Sequence, residues 1–160
     1  MRFAFDDGQV ALKDSARRFL TEQAGIPAVR KAMEDGADPA LWQRIAMELG
    51  WPALILPEEV GGFGMGYVEL VALVEEMGLR LLCAPFFSTV CLAANAVMLC
   101  GTDEQQARWL PDIAEGGTAA LGLGGGVQAV PVDGGWRLTG VSAGVVDGAV
   151  SYTHLRAHET

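Results

Sequence analysis

The side chains of this 160-residue chain that could carry chemistry are few, and most lack the partners that chemistry needs. Both histidines, His154 and His158, stand four apart, a spacing that can set two imidazoles on one helix face as metal ligands. No third ligand accompanies them, so no metal site is assigned. Ser88 has no histidine or lysine close in sequence to serve as its base, which leaves nucleophilic catalysis without a proton acceptor. Cys83, Cys91 and Cys100 form no CxxC pattern and read as reduced core thiols of a cytoplasmic protein. The adjacent pairs Glu58–Glu59 and Glu75–Glu76 do not read as proton-sharing carboxylates, because helix neighbours point about 100° apart. Solvated faces or caps explain them, with Glu58 able to anchor backbone amides. Backbone chemistry remains. Gly61, Gly62, Gly64 and Gly66 fall within six residues, and such density means tight turns or close approach by another group. Either the loop walls a cofactor or substrate cleft or it is a plain connector between helices. No Gly-Lys-Ser/Thr follows, so it is not a phosphate loop.

The elements that must position these residues are mostly helical. Asp6 or Asp7 caps a first helix, with Gln9 completing a capping box after Asp6. Its inner face carries Leu12, Ala16, Phe19 and Leu20, while Lys13, Arg17 and Arg18 lie toward water. Residues 25–36 suggest a short exposed helix. Asp38-Pro39 opens the next, with Leu41, Trp42, Ile45 and Leu49 as its buried stripe and Gly50 as its end. After the glycine loop, Leu70, Val74 and Met77 share a helix face, and Gly78 can close that helix as a left-handed cap. Residues 81–102 carry no charge; they are long enough to span a bilayer. Pro85, Ser88, Thr89 and Asn95, with no flanking basic cluster, favour a helix buried on all sides. Thr102 and Gln105 form a second capping box, and Pro111 breaks or kinks that helix. Beyond Gly116-Gly117 the texture turns to strands. These are expected at 118–123, at 127–132 and 136–141 around an Asp133-Gly134-Gly135 hairpin turn, and at Val145-Val146. Gly124, Gly125 and Gly126 form a flexible joint.

With 51% hydrophobic residues the chain can bury a real core, and its net charge of −9 with no basic patch argues against a nucleic-acid partner. The amino terminus has no signal-peptide architecture, and no membrane association is expected.

The run Pro57-Glu58-Glu59-Val60-Gly61-Gly62-Phe63-Gly64, followed by Val74-Glu75-Glu76-Met77-Gly78, resembles the amino-terminal helical domain of acyl-CoA dehydrogenases. Leu41-Trp42 through Leu49-Gly50-Trp51, and Gly101-Thr102-Asp103-Glu104-Gln105 leading to Trp109-Leu110-Pro111, follow in the family's order. The resemblance covers about residues 3–150. It implies a mainly α fold: a helical bundle domain over 1–116, the start of a middle antiparallel β-domain over 117–150, truncated there, and a tail at 151–160 that is non-native or misjoined. It implies an oxidoreductase of fatty acid or steroid catabolism that uses FAD to remove hydrogens from the α and β carbons of an acyl-CoA. It also implies a homo- or hetero-oligomer with another subunit of the family, and an electron-transfer acceptor. The catalytic carboxylate belongs to the family's carboxy-terminal domain, so no catalytic residue is assigned and the chain alone is expected to be inactive. A non-catalytic partner subunit and a helical interaction module remain as alternatives.

By matching, Leu121, Leu123 and Gly124 offer backbone groups to the flavin, and Val146 falls where the family often offers a threonine. The family's threonine-glutamate-proline turn and glycine-serine-aspartate are missing around them. Pro85 and Ser88 match positions that line the acyl pocket, with plain core packing as the other reading of both.

Overall fold

The computed structural model describes residues 4–149 and, as backbone alone, 153–154. The chain divides into two compact units, Met1–Ala84 and Pro85–Thr160.

In the first unit, helix α1 (Asp7–Gln23) starts at the expected capping box. The Asp6 carboxylate accepts from the Gln9 amide at 2.8 Å, and the Gln9 side chain accepts from the Asp6 amide at 3.0 Å. Helix α2 (Ile26–Asp35) buries none of its residues, as its charged composition suggests. Helix α3 (Pro39–Met47) has Asp38 at its N-cap and proline at its first position. Its inner face buries Trp42, Ile45 and Ala46. Gly50 takes a left-handed conformation and passes the chain into the buried segment 51–56, whose Leu56 is fully inaccessible. Trp51 receives the edge of Phe19 with ring centroids 5.5 Å apart. Helix α4 (Tyr67–Leu79) then packs along α1. Each large apolar side chain buried here contributes about 1.5–3 kcal/mol.

The glycine loop before α4 is shaped by close approach. The amides of Phe63, Gly64 and Met65 donate to the carbonyls of Ala53, Leu56 and Leu54, so the loop folds back on the buried segment and uses its own donors there. A side chain at Gly62 would put Cβ 2.0 Å from the Leu56 carbonyl oxygen, so only glycine fits.

The α1–α4 seam departs from the sequence expectation that Lys13, Arg17 and the glutamates face water. Glu76 is 1% exposed and sits in a fork made by Arg17, whose Nε and Nη2 donate at 3.1 and 2.7 Å. Lys13 pairs with Glu75 at 2.6 Å, and Gln9 donates to Glu69 at 2.7 Å. The hydrogen bond from Arg17 leads the causes that hold the Glu76 carboxyl below its ordinary value, and the same bond raises Arg17. Charge spacing marked these residues as polar but could not show that α1 brings its cations to meet α4.

Gly78 is not the cap of α4. The helix runs through it, and Leu81 takes the left-handed position with φ 52°. The Leu81 and Leu82 amides return to the carbonyls of Gly78 and Met77, the paired bonds of a Schellman ending.

In the second unit, the uncharged stretch is neither one α-helix nor buried all round. Residues Phe87–Ala94 wind as a π-helix, followed by α5 (Asn95–Cys100). Phe87 is 52% and Leu99 76% exposed. No helix among the described residues is long and apolar enough to cross a membrane. Helix α6 (Asp103–Ala114) has the Thr102–Gln105 capping box and continues through Pro111. A proline near the end of a helix removes one bond of the final turns and need not stop it. The helix ends instead in a second Schellman motif, where Gly116 has φ 93° and the Gly117 amide reaches the Asp112 carbonyl at 2.7 Å.

The strands are shorter than expected. The first, β1, covers Ala119–Ala120 alone and pairs in parallel with β4 (Thr153–His154). The hairpin is as read: β2 (Gln128–Val132) pairs antiparallel with β3 (Gly135–Thr139) around Asp133-Gly134, and Pro131 lies opposite Trp136. No strand forms at Val145-Val146, where the chain turns instead. Cys83 and Cys91 are half-buried and Cys100 is exposed, so the last is not a core thiol. The metal reading of His154 and His158 concerns side chains outside the described residues, and no metal-binding group occurs among the described residues.

Candidate functional site

The matched positions on the two sides of the expected slot both lie in the second unit. On the substrate side, Pro85 and Ser88 sit where the chain enters the π-helix. Both are buried, and the Ser88 hydroxyl, with no accessible surface, donates to the Pro85 carbonyl at 3.1 Å. Its polar atom is thus spent on the local backbone, and with no accessible surface Ser88 packs in the core, the other reading of this position.

The π-helix has an identifiable support. A π turn displaces carbonyls from the usual α pattern, and the Asn95 side-chain Nδ2 donates to two of them, Val90 at 3.0 Å and Cys91 at 3.2 Å. Burial alone pushes the Cys91 thiol up to about 11, so it stays protonated and unreactive near neutral pH. The sequence signal for this irregularity was faint. Ser88, Thr89 and Asn95 are polar residues in an apolar run, and they argued only against a membrane span.

Thr89 is the residue that sequence reasoning missed. It is fully buried, and its hydroxyl both donates to the Ala119 carbonyl at 3.2 Å and accepts from the Ala119 amide at 3.1 Å. One side chain therefore substitutes for a missing strand partner at β1. It ties the π-helix to β1, the strand that leads directly into the loop 121–126. A pattern of thirty residues between partners cannot be found by periodicity.

Of the positions matched to cofactor contacts, Leu121 is half-buried, Leu123 is 81% exposed, and Gly124 lies on the surface. Val146 is 43% exposed within a turn. Among the described residues, the amides of Leu123 and Gly124 donate to no backbone carbonyl. The glycine triplet is not an open joint. A Cβ at Gly125 would lie 2.2 Å from the Val141 carbonyl oxygen, and the Ser142 hydroxyl donates to the Gly124 carbonyl. Gly122 also faces Ser142 and Val145, so the stretch before Val146 runs beside the loop. The structure thus gathers the segments that carry Leu121, Leu123, Gly124 and Val146, and Thr89 joins their strand to the π-helix that follows Pro85.

The family described as "Acyl-CoA dehydrogenase, N-terminal domain" matches residues 6–117. The chain is 35% identical over 107 residues to acyl-CoA dehydrogenase IpdE2 of Mycolicibacterium smegmatis, covering 66% of this chain and 33% of that protein. It is 41% identical over 119 residues to acyl-CoA dehydrogenase FadE12 of Mycobacterium tuberculosis, covering 71% of this chain and 29% of that one. Among solved structures, a chain of the ChsE4-ChsE5 complex from Mycobacterium tuberculosis superposes with a TM-score of 0.81 at 28% identity, over 96% of this chain and 44% of that one. This chain spans about a third of the length of the curated relatives it matches. With the family model matching residues 6–117, the chain belongs to the acyl-CoA dehydrogenase family.

Proposed function

We propose that this chain supplies the amino-terminal helical domain (residues 1–116) and the first part of the middle β-domain (residues 117–150) of an FAD-dependent acyl-CoA dehydrogenase subunit. By itself it does not turn over an acyl-CoA. The observation that carries this reading is the loop 121–124: exposed from Gly122 on, apolar in its side chains, and able to donate only through its backbone.

That loop fits one edge of a flavin. A flavin ring loses water at its nitrogen and oxygen atoms on burial, and each polar atom left unpaired costs about 1–3 kcal/mol. The amides of Leu121, Leu123 and Gly124 would answer part of that need, and Val146 would add an apolar contact without a donor. FAD, when bound, would supply the acceptor for the hydride leaving the β carbon. Pro85 and Ser88, both buried, would back the acyl pocket from within the core rather than touch the acyl chain. No carboxylate of this chain is assigned as the base: Glu76 is held ionised by Arg17, and Glu75 is ion-paired with Lys13. A base from the longer relatives' remaining length, or from a second subunit, would complete the reaction.

A hetero-oligomer is the form this reading favours. The similarity to a chain of a two-component complex supports it, and so does the shortage of side-chain donors at the loop. A second subunit of the same family would supply the missing donors, and an electron-transfer acceptor would reoxidise the flavin. The test is acyl-CoA oxidation with an artificial electron acceptor. No turnover by this chain, and turnover by the longer parent only with a family partner, is the expected result. Turnover by this chain alone would overturn the reading.

A further inference from the structure

We propose that Ser142 is a positioning residue of the flavin-side loop, and that through it the backbone N–H of Gly125 becomes a donor to the flavin ring. The inference rests on the reading of residues 121–124 as flavin-side contacts. It starts from the direction of one peptide group. The Ser142 hydroxyl donates to the Gly124 carbonyl. The same peptide group carries the Gly125 N–H, and in a trans peptide the carbonyl and the N–H point in opposite directions. No cis peptide occurs among the described residues. The Gly125 N–H is therefore turned away from Ser142. No backbone carbonyl among the described residues accepts it, and Gly125 is exposed.

The surrounding seam holds this direction in place. Gly125 has φ 127°, and a Cβ added there would overlap the Val141 carbonyl, so no side chain could stand there. Gly140 meets the Gly126 carbonyl in the same way, with an added Cβ 2.2 Å from its oxygen. Two backbones run against each other without side chains between them, and the Ser142 hydroxyl pins the seam. Three consecutive glycines would otherwise sample many directions for this N–H. An oxidised flavin ring presents nitrogen and oxygen acceptors along its edge, for which a fixed N–H is the matching partner. The side-chain donors that the loop lacks are thus replaced by a backbone donor whose direction a serine sets.

The test uses the full 160-residue chain as wild type, Ser142→Ala and Ser142→Thr. Amide relaxation at residues 124–126 is measured without flavin, and FAD is titrated by fluorescence and by the Gly125 amide shift. The expected result is a drop in loop order for Ser142→Ala with about tenfold weaker FAD binding, the scale of one lost hydrogen bond. Ser142→Thr, which keeps the hydroxyl, retains order and binds within roughly threefold of wild type. FAD shifts the Gly125 amide. Unchanged loop order in Ser142→Ala, a looser loop with unchanged FAD affinity, or an unmoved Gly125 amide at saturation would each overturn the proposal while leaving the cofactor reading standing. Absence of saturable FAD binding in the wild type would overturn both.

Discussion

The seam between α1 and α4 and the loop 121–126 are both rich in polar atoms, yet they spend them differently. In the seam every charged group named has a partner: Glu76 with Arg17, Glu75 with Lys13, Glu69 with Gln9 and the Gly66 amide. In the loop, the Gly124 carbonyl is used, while the amides of Leu123, Gly124 and Gly125 find no backbone acceptor among the described residues. A satisfied seam fixes the register of two helices and has nothing left to offer a ligand. An unsatisfied loop on a fixed base is what a binding site requires. The lesson is that polarity in this sequence is a poor guide to function. The charged residues build the scaffold, and the glycines and leucines form the candidate site.

The base of the loop gives the largest expected effect. Thr89→Val keeps the shape of the side chain but strands the buried amide and carbonyl of Ala119. Unfolding in urea should show a loss of about 2–4 kcal/mol, with Thr89→Ser recovering most of it. Equal stability in the valine variant would mean that the clamp does not hold β1.

Breaking the seam comes next. Glu76→Gln should cost about 1–3 kcal/mol, since a buried acceptor loses its charge while Arg17 remains half in water. The pH dependence follows from the sign of the shift. The folded Glu76 and Glu69 carboxyls are held below their ordinary value of 4.5, by Arg17 and Gln9 first of all. Their contribution is present above that value and is lost as pH falls through the lower folded values. Glu76→Gln should therefore flatten the acid limb of a stability-versus-pH curve. An acid limb of unchanged steepness would place the sensitivity elsewhere.

A smaller gain is expected at the end of α4. Leu81 holds a left-handed conformation that costs an ordinary side chain about 1–2 kcal/mol. Leu81→Gly should raise stability by roughly 0.5–1 kcal/mol after the entropy of the freer unfolded chain is counted. A lowered melting temperature would show that the exposed leucine makes contacts that outweigh the strain. The smallest effect concerns thiols. A disulfide reagent near neutral pH should label exposed Cys100 quickly and leave Cys91 unmodified, a difference read by mass spectrometry.

The helical half was legible because its signals are local. Asp6 with Gln9, Asp38 with Pro39, and Thr102 with Gln105 each announce a helix start within three residues, and all three form. The order of motifs around the glycine loop gave the family. What sequence could not show arises from contacts between distant segments. Glu76 reads as one of two adjacent surface acids until α1 delivers Arg17 to it. Gly78 is the obvious cap, but the chain ends the helix three residues later on a leucine, because the amides of Leu81 and Leu82 find carbonyls there. Thr89 and Ser142 each act on a backbone group far along the chain. The strands at residues 118–123 and 145–146 are shorter than expected or absent, since Ala and Gly in the first are weak β-formers and, among the described residues, only Ala119 and Ala120 find a partner strand.

The central claim is that the flavin-side loop donates only through its backbone, so that this chain holds FAD weakly. The direct measurement is the flavin content of the purified 160-residue chain, read by absorbance after gel filtration in FAD and again after its removal. The account predicts saturable binding that washes out, weaker by on the order of thirtyfold to a thousandfold than a site with two further donors, equivalent to about 2–4 kcal/mol. Stoichiometric FAD that stays with the protein through the column would contradict it.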